Sequence, residues 1–425
     1  MADTRPFRAF YYNTERAGDL TRLVCPPYDL IDEAKRRELK DRSPYNFVRL
    51  ELPESTDPNY ADIARMLHQW EKQRVLIEDN VKAFYLLRHD FEVDGEKLSR
   101  LGIFSAVRLE EFGKGGVYPH EVTFSAAKEE RFKQLSALKT NTSPIFAFFP
   151  DPNAEIFRMM KKAAFGSTMM EAEYEDGQKL TVYAIRERVM QDKLTAAFEK
   201  RRLFIADGHH RYETALRYSQ MHGGGYENPA GYVMMYLVSA QDPGIRILPT
   251  HRLLRQWPEG MTAQSFVEAA AMYFDVTELQ FDEVTSERAA YHLDKEAYRP
   301  SFCFYSAEKP ETLYVFKVQQ PWIDRHAQEI EDPELASLDV NILSKFVFQE
   351  LIRLKPEDLD DVIVYDHGLE STLERVGEGE AVGAFLMRPT SMETVVSLAR
   401  RLVKMPPKST YFYPKAPSGV VTRKL

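Results

Sequence analysis

Apolar residues along the chain fall into two alternating patterns. Residues 143–149, 180–185, 203–206 and 231–239 are short, almost wholly apolar runs, the pattern of strands buried on both faces. Between such runs, apolar residues recur every three or four positions, which predicts helices with one inward face. Examples are Ile63, Met66, Leu67 and Trp70 within 60–75, and Val189, Leu194, Ala197 and Phe198 within 186–200. Further helices are expected over 32–40, 155–165 and 212–222. Strands are expected over 6–12, 47–52, 83–88 and 101–109, the last two joined across the polar turn at 92–96. Pro26-Pro27 cannot sit in a helix interior, so 24–31 reads as a fixed, extended loop.

Beyond Gln241-Asp242-Pro243-Gly244 the alternation continues. Helices are expected over 263–274, 286–293, 340–352 and 392–404, and strands over 245–248, 301–305, 312–318, 362–365 and 381–387. A chain of 425 residues is too long for one ordinary core. The expected architecture is α/β, mixed with α+β: a first domain over 1–240, a C-terminal α+β domain over 241–404, and a tail over 405–425. The tail carries Tyr411, Phe412 and Tyr413 among three prolines. Apolar bulk of that kind is usually packed, so it should be ordered and lie back on the body.

Composition narrows the function classes. The net charge is −9 and no long basic run occurs, which argues against a nucleic-acid partner. Two cysteines exclude a disulfide framework and point to a reducing compartment. No run of about 18 apolar residues exists and the start lacks an apolar signal core, so a cytoplasmic protein without a membrane partner is expected.

The chemistry concentrates at 203–215. A short apolar strand ends at Asp207, Gly208 permits a sharp turn, and a helix follows, with Tyr212, Ala215, Leu216 and Tyr218 able to share one face. Asp207, His209, His210 and Arg211 crowd the turn. A helix N-terminus suits an anion, and a guanidinium matches phosphate oxygens, so this reads as a phosphate-binding turn. The plainer alternative is an ordinary Asp-Gly turn with surface histidines. Gly113-Lys114-Gly115-Gly116 lacks the spacing of a P-loop. His120-Glu121 reads as a catalytic pair on a loop, in which the carboxylate takes a hydroxyl proton; the alternative is a solvated pair. His251 and Arg252 after a strand, and Lys408, Ser409 and Thr410 in the tail, are further candidates for substrate or phosphate contact. Asp366-His367 has no third ligand at motif spacing, so no resident metal site is expected.

Asp207-Gly208-His209-His210-Arg211 resembles the signature of the ParB/sulfiredoxin-like nucleotide-binding fold, and in particular that of its free-serine kinase branch. Pro119-His120-Glu121 and Pro407-Lys408-Ser409-Thr410 resemble two other motifs of those kinases. Over nearly its whole length the chain resembles the DUF1015 family. The marks are Pro26-Pro27-Tyr28-Asp29, the two motifs at 119–121 and 207–211, and Tyr411-Phe412-Tyr413-Pro414-Lys415.

The resemblance implies a ParB/sulfiredoxin-like core with insertions, and a kinase using ATP or ADP with Mg²⁺ to phosphorylate the hydroxyl of a small metabolite, free L-serine being the one implied. Gly208 and the helix start would take the phosphates, with His209, His210 and Arg211 neutralising them. Glu121 would be the general base, tuned by His120. Asp207 would hold Mg²⁺, position the acceptor or help with proton transfer. Two departures stand out. Glu121 and Asp207 are 86 positions apart, far more than in the kinases. His209 also occupies the place of the reactive cysteine of the sulfiredoxin branch, which removes thiol chemistry. Two other functions stay open: a nucleotide-binding switch without kinase activity, and a metal-dependent hydrolase using His209, His210 and an acidic partner. The sequence specifies neither the acceptor, the phosphate donor nor the oligomeric state.

Overall fold

Nine strands pair into the sheet that organises the first of two units of the chain. They are seen in a computed structural model that describes residues 1–52, 59–123, 125–295, 299–330, 332–355 and 358–425. The first unit comprises Met1–Pro119, Thr123–Arg246 and Phe412–Leu425, and the second His120–Val122 and Ile247–Tyr411. Together they give the chain a mixed α/β, α+β character.

The first sheet runs in the order Val117–Tyr118, Leu203–Asp207, Ile145–Phe149, Tyr232–Ser239, Glu96–Arg108, Phe84–Val93, Lys179–Ile185 and Thr168–Glu173, and Thr4–Arg5 pairs with Glu96–Arg108. Pairing is mixed. Leu203–Asp207 runs parallel to Val117–Tyr118 and antiparallel to Ile145–Phe149, which is itself parallel to Tyr232–Ser239. Every residue of Ile145–Phe149 and of Tyr232–Ser239 is buried, as their unbroken apolar runs require. Helices Glu155–Ala163, Arg188–Phe198 and His209–Met221 supply Ile156, Phe157, Met160, Leu194, Ala197, Phe198, Tyr212 and Ala215 to the core beside Ile103, Ile145, Leu203, Ile205 and Leu237. Each large apolar side chain so buried contributes about 1.5–3 kcal/mol.

Several expectations need correction. Residues 47–52 do not form a strand: Val48–Glu51 is one helical turn. Asn46 sets it, its Oδ1 accepting from Val48 N (3.0 Å) and its Nδ2 donating to the Arg22 carbonyl (2.8 Å). Phe47, Val48 and Leu50 are buried around that turn, so their apolar character reports burial and not an extended backbone. Within the expected strand over 6–12, Phe10–Tyr12 is strand and Phe7 makes an isolated bridge to Ala83, while Thr4–Arg5 forms a separate strand before it. Val189, expected inward, is exposed in the first turn of its helix. After the extended Pro27, Tyr28–Leu30 makes a short 3-10 turn.

The second unit carries a six-stranded antiparallel sheet in the order Phe274–Gln280, Thr312–Val318, Ser301–Ser306, Gly383–Leu386, His251–Leu254 and Ile363–Asp366. The period of two along a strand divides its faces. Phe302, Phe304, Phe316 and Phe385 pack with Phe266 on one side, and Cys303, Leu313, Val315 and Leu386 with Leu253 on the other. The helix expected over 263–274 ends at Ala270, and Phe274 opens a strand instead. That strand is exposed along most of its length, so no apolar pattern announces it. The helix expected over 340–352 is α-helical over Asp339–Ile342 and π-helical over Leu343–Leu351. Among the described residues no helix is long and apolar enough to cross a membrane.

Candidate functional site

In the first unit the strand Leu203–Asp207 ends at a partly buried carboxylate. Gly208 then turns the chain with φ +93°, and helix His209–Met221 begins at once. Glycine is required here twice over. An L side chain rarely adopts that φ, and a Cβ would stand 2.9 Å from Arg211 Nε. The helix has no side-chain cap at Gly208, so the positive end of its dipole faces the turn.

Charged groups from three distant stretches meet at this turn. Arg211 donates through Nη2 to Asp207 Oδ2 and through Nη1 to the Pro144 carbonyl (2.6 Å). Lys415, from the C-terminal tail, lies 3.1 Å from Asp207 Oδ1 and also pairs with Asp29. Burial pushes the Asp207 carboxyl up, but Lys415 and then Arg211 outweigh it and hold the group well below the usual carboxylate range. Burial likewise opposes the charge on Arg211, and Asp207 restores it, leaving the guanidinium above its ordinary value. Tyr28 is raised by burial against the pull of Arg211 and Arg131, and Arg131 lies over its ring at 3.9 Å.

His209 is buried and His210 half-buried. Burial first, with Lys128 and Arg211, lowers the His210 pKa against the opposing effect of Glu213. Glu213 accepts from the Thr123 hydroxyl (2.7 Å) and pairs with Lys128 at 3.0 Å. The turn thus offers a helix dipole, a held guanidinium and a held ammonium, all suited to phosphate oxygens.

The other predicted residues lie in the second unit and form a cluster of their own. Glu121 pairs in parallel with Met405 through one bridge. Its Oε1 accepts from the backbone N–H of Ser409 (3.1 Å) and Thr410 (3.2 Å) and from the Thr410 hydroxyl (3.3 Å). His120 Nε2 is 2.8 Å from Thr410 Oγ1 and 3.8 Å from Glu121 Oε1. The motifs at 119–121 and 407–410 therefore converge on one carboxylate. Lys408 takes a positive φ of 59°, and its carbonyl accepts from Arg252 Nη2 (2.9 Å). Burial lowers the Arg252 pKa to about 10. His251 follows the strand Arg246–Leu248, as expected, and itself opens a further strand, His251–Leu254. Its Nδ1 accepts from Met387 N at 3.0 Å, and burial, with Arg252 beside it, pulls its pKa down to about 3.

Lys415 was not singled out from the sequence as a site residue, and Asp29 only as part of a loop that could face the site, a structural loop being the preferred reading. Their signal was present, since both fall in stretches that mark the family, but no spacing rule pairs a lysine at the far end of the chain with Asp207. Among the described residues no group of three or more His, Cys, Asp or Glu is placed to hold a metal ion.

Comparison with known proteins gives distant likenesses. A mutant of free serine kinase in complex with AMP is 12% identical, covers 73% of this chain and 87% of its own, and has a TM-score of 0.36. Another mutant of that kinase, in complex with ADP, is 11% identical with a TM-score of 0.37, over 73% of this chain and 87% of its own. A conserved hypothetical protein from Pyrococcus furiosus is 13% identical with a TM-score of 0.36, over 75% and 93%. None of the curated proteins matches. The family model described as "Protein of unknown function (DUF1015)" matches residues 4–341, most of the sequence, and the chain belongs to that family.

Proposed function

We propose that the chain is a nucleotide-dependent kinase that transfers phosphate to the hydroxyl of a small metabolite. One observation carries this reading: at the Gly208 turn, an uncapped helix N-terminus is flanked by Arg211 and Lys415, each fixed by Asp207. Phosphoryl transfer needs positioning and charge stabilisation more than covalent help from the protein. Groups held in place before the ligand arrives supply both without reorganising. ATP or ADP is the nucleotide the motif at 207–211 suggests, and free L-serine is the acceptor suggested by its likeness to free-serine kinases. Mg²⁺ would arrive largely on the nucleotide, where it screens phosphate charge, because it keeps waters and needs few protein carboxylates. Both carboxylates at the turn, Asp207 and Asp29, are already paired with Lys415.

In this reading the acceptor oxygen attacks phosphorus. The bond from phosphorus to the leaving oxygen breaks, and its electron pair departs with the nucleotide. Glu121 receives the hydroxyl proton. Three donors converging on its Oε1 fix the direction of the carboxylate, which is what a general base requires. The test is to incubate the protein with ATP or ADP, Mg²⁺, and either L-serine or a panel of hydroxylated metabolites, and to follow phosphorylated product by ³¹P NMR. Product is expected for at least one acceptor. Glu121→Gln should lower its rate by roughly 10²–10⁴-fold while nucleotide binding is retained. No product with any acceptor, or full activity in Glu121→Gln, would contradict the proposal.

A further inference from the structure

Glu51 ends the short helix Val48–Glu51 and is 1% exposed. Its Oε1 accepts from the Ser143 hydroxyl, whereas its Oε2 is buried and has no hydrogen-bond partner among the described residues. Arg211 shows the same asymmetry. Its Nη1 and Nη2 are engaged by Pro144 and Asp207, but its Nε is buried without a partner among the described residues. Both side chains line one cavity of about 40 Å³ in the first unit, together with Gln134, Thr140, Thr214 and Ala215. A single water needs only about 10–15 Å³ of such space, so the cavity has room for a group larger than one water. Arg131 also borders it but is committed to the Glu51 carbonyl (3.3 Å), Gln134 Oε1 (2.8 Å) and Glu130 Oε1 (3.2 Å).

We propose that this cavity is a subsite for a neutral hydroxyl-bearing group of the acceptor, held between the Glu51 carboxylate and the Arg211 Nε–H. A buried acceptor and a buried donor, each lacking a partner, define what fits. A hydroxyl both donates and accepts, so it answers Glu51 and Arg211 at once. An ammonium only donates and would be set against the guanidinium. A carboxylate only accepts and would be set against Glu51. The inference rests on the phosphotransfer reading, because Arg211 both pairs with Asp207 at the Gly208 turn and lines the cavity. It narrows that reading by naming the class of acceptor: a small neutral alcohol or polyol segment, chosen over a cationic or anionic head group, which favours a neutral polyol over free L-serine, whose ammonium and carboxylate are both charged.

The test uses ligand-observed NMR on the full chain with three probes of similar size, glycerol, ethanolamine and glycolate, and a separate titration with ADP. Wild type is expected to bind glycerol in preference to the two charged probes. Glu51→Gln and Ala215→Val should each weaken glycerol at least tenfold and leave ADP affinity within about threefold. The second variant fills the space but keeps every polar group, so it decides the matter if the first fails to fold. Equal glycerol binding in wild type and Ala215→Val, preference for a charged probe, or no binding of any probe would overturn the subsite. ADP binding without glycerol binding sinks only this inference. Glycerol binding without ADP binding sinks the kinase reading instead.

Discussion

Lys415 reaches Asp207 and Asp29 from the last stretch of the chain. Its loss would leave two carboxylates at the turn short of their cation. Lys415→Met should therefore destabilise the first unit by about 1–3 kcal/mol, measured by urea unfolding at pH 7, and weaken ADP binding. The pH dependence has a definite sign. Asp207 titrates lower in the folded protein than in the unfolded chain, so its pairing stabilises the fold above the unfolded value near about 4 and is lost as pH falls below it. Lys415→Met should flatten that acid limb; an unchanged limb would show that Lys415 does not hold Asp207. The sequence showed that Asp207 and Arg211 sit together, because four positions on and around a helix start place them side by side. It gave no means of pairing Lys415 with either, since that contact depends on how the tail threads back. Glu51 was equally hidden, lying inside a segment that reads as a strand.

Among the elements, the strand–glycine–helix unit at 203–221 was the most legible. An unbroken apolar run, an Asp-Gly and a helical apolar spacing each demand one local structure, and they agree. Gly208→Ala should cost about 1–2 kcal/mol for the left-handed backbone. It should also displace the Arg211 guanidinium, which a Cβ would meet at 2.9–3.1 Å. A tenfold or greater loss of nucleotide affinity, with the fold retained by circular dichroism, is the expected outcome; unchanged affinity would mean the guanidinium plays no part in binding. The elements missed have common physical causes. Val48–Glu51 is too short for helical spacing to show. Phe274–Gln280 is mostly exposed, so its alternation carries no contrast. The strand His251–Leu254, separated from Arg246–Leu248 by Pro249 and Thr250 alone, was not expected as an element of its own.

For the molecule as a whole, each unit buries histidines that cannot charge without disruption. In the first, His89 is fully buried against Gln178 (2.6 Å) and burial takes its pKa to about 3. In the second, His251 is held likewise at about 3. Both bind fewer protons folded than unfolded between about 6.5 and 3, so stability rises with pH across that window and drops as it is acidified. His251→Asn keeps an acceptor for Met387 N but removes the titration. It should lower the slope of stability against pH for the second unit by up to about 1.4 kcal/mol per pH unit, and an unchanged slope would show that His251 is not held neutral. At this scale the mixed α/β class was legible because long buried strands and amphipathic helices alternate. The return of Phe412–Leu425 into the first unit was not legible in detail. Arg100 fixes it by donating to the carbonyls of Tyr413 (3.1 Å) and Pro414 (2.6 Å), and Arg423 by donating to that of Tyr232 (2.9 Å); such contacts between distant stretches leave no local pattern.

The central claim is that the Gly208 turn takes the phosphates of a nucleotide, and calorimetric titration of ADP into wild type and Arg211→Gln tests it most directly. Saturable binding at one site per chain, weakened at least tenfold by the substitution while the variant stays folded, is the predicted result. No binding to wild type, or equal affinity in the two proteins, would contradict it.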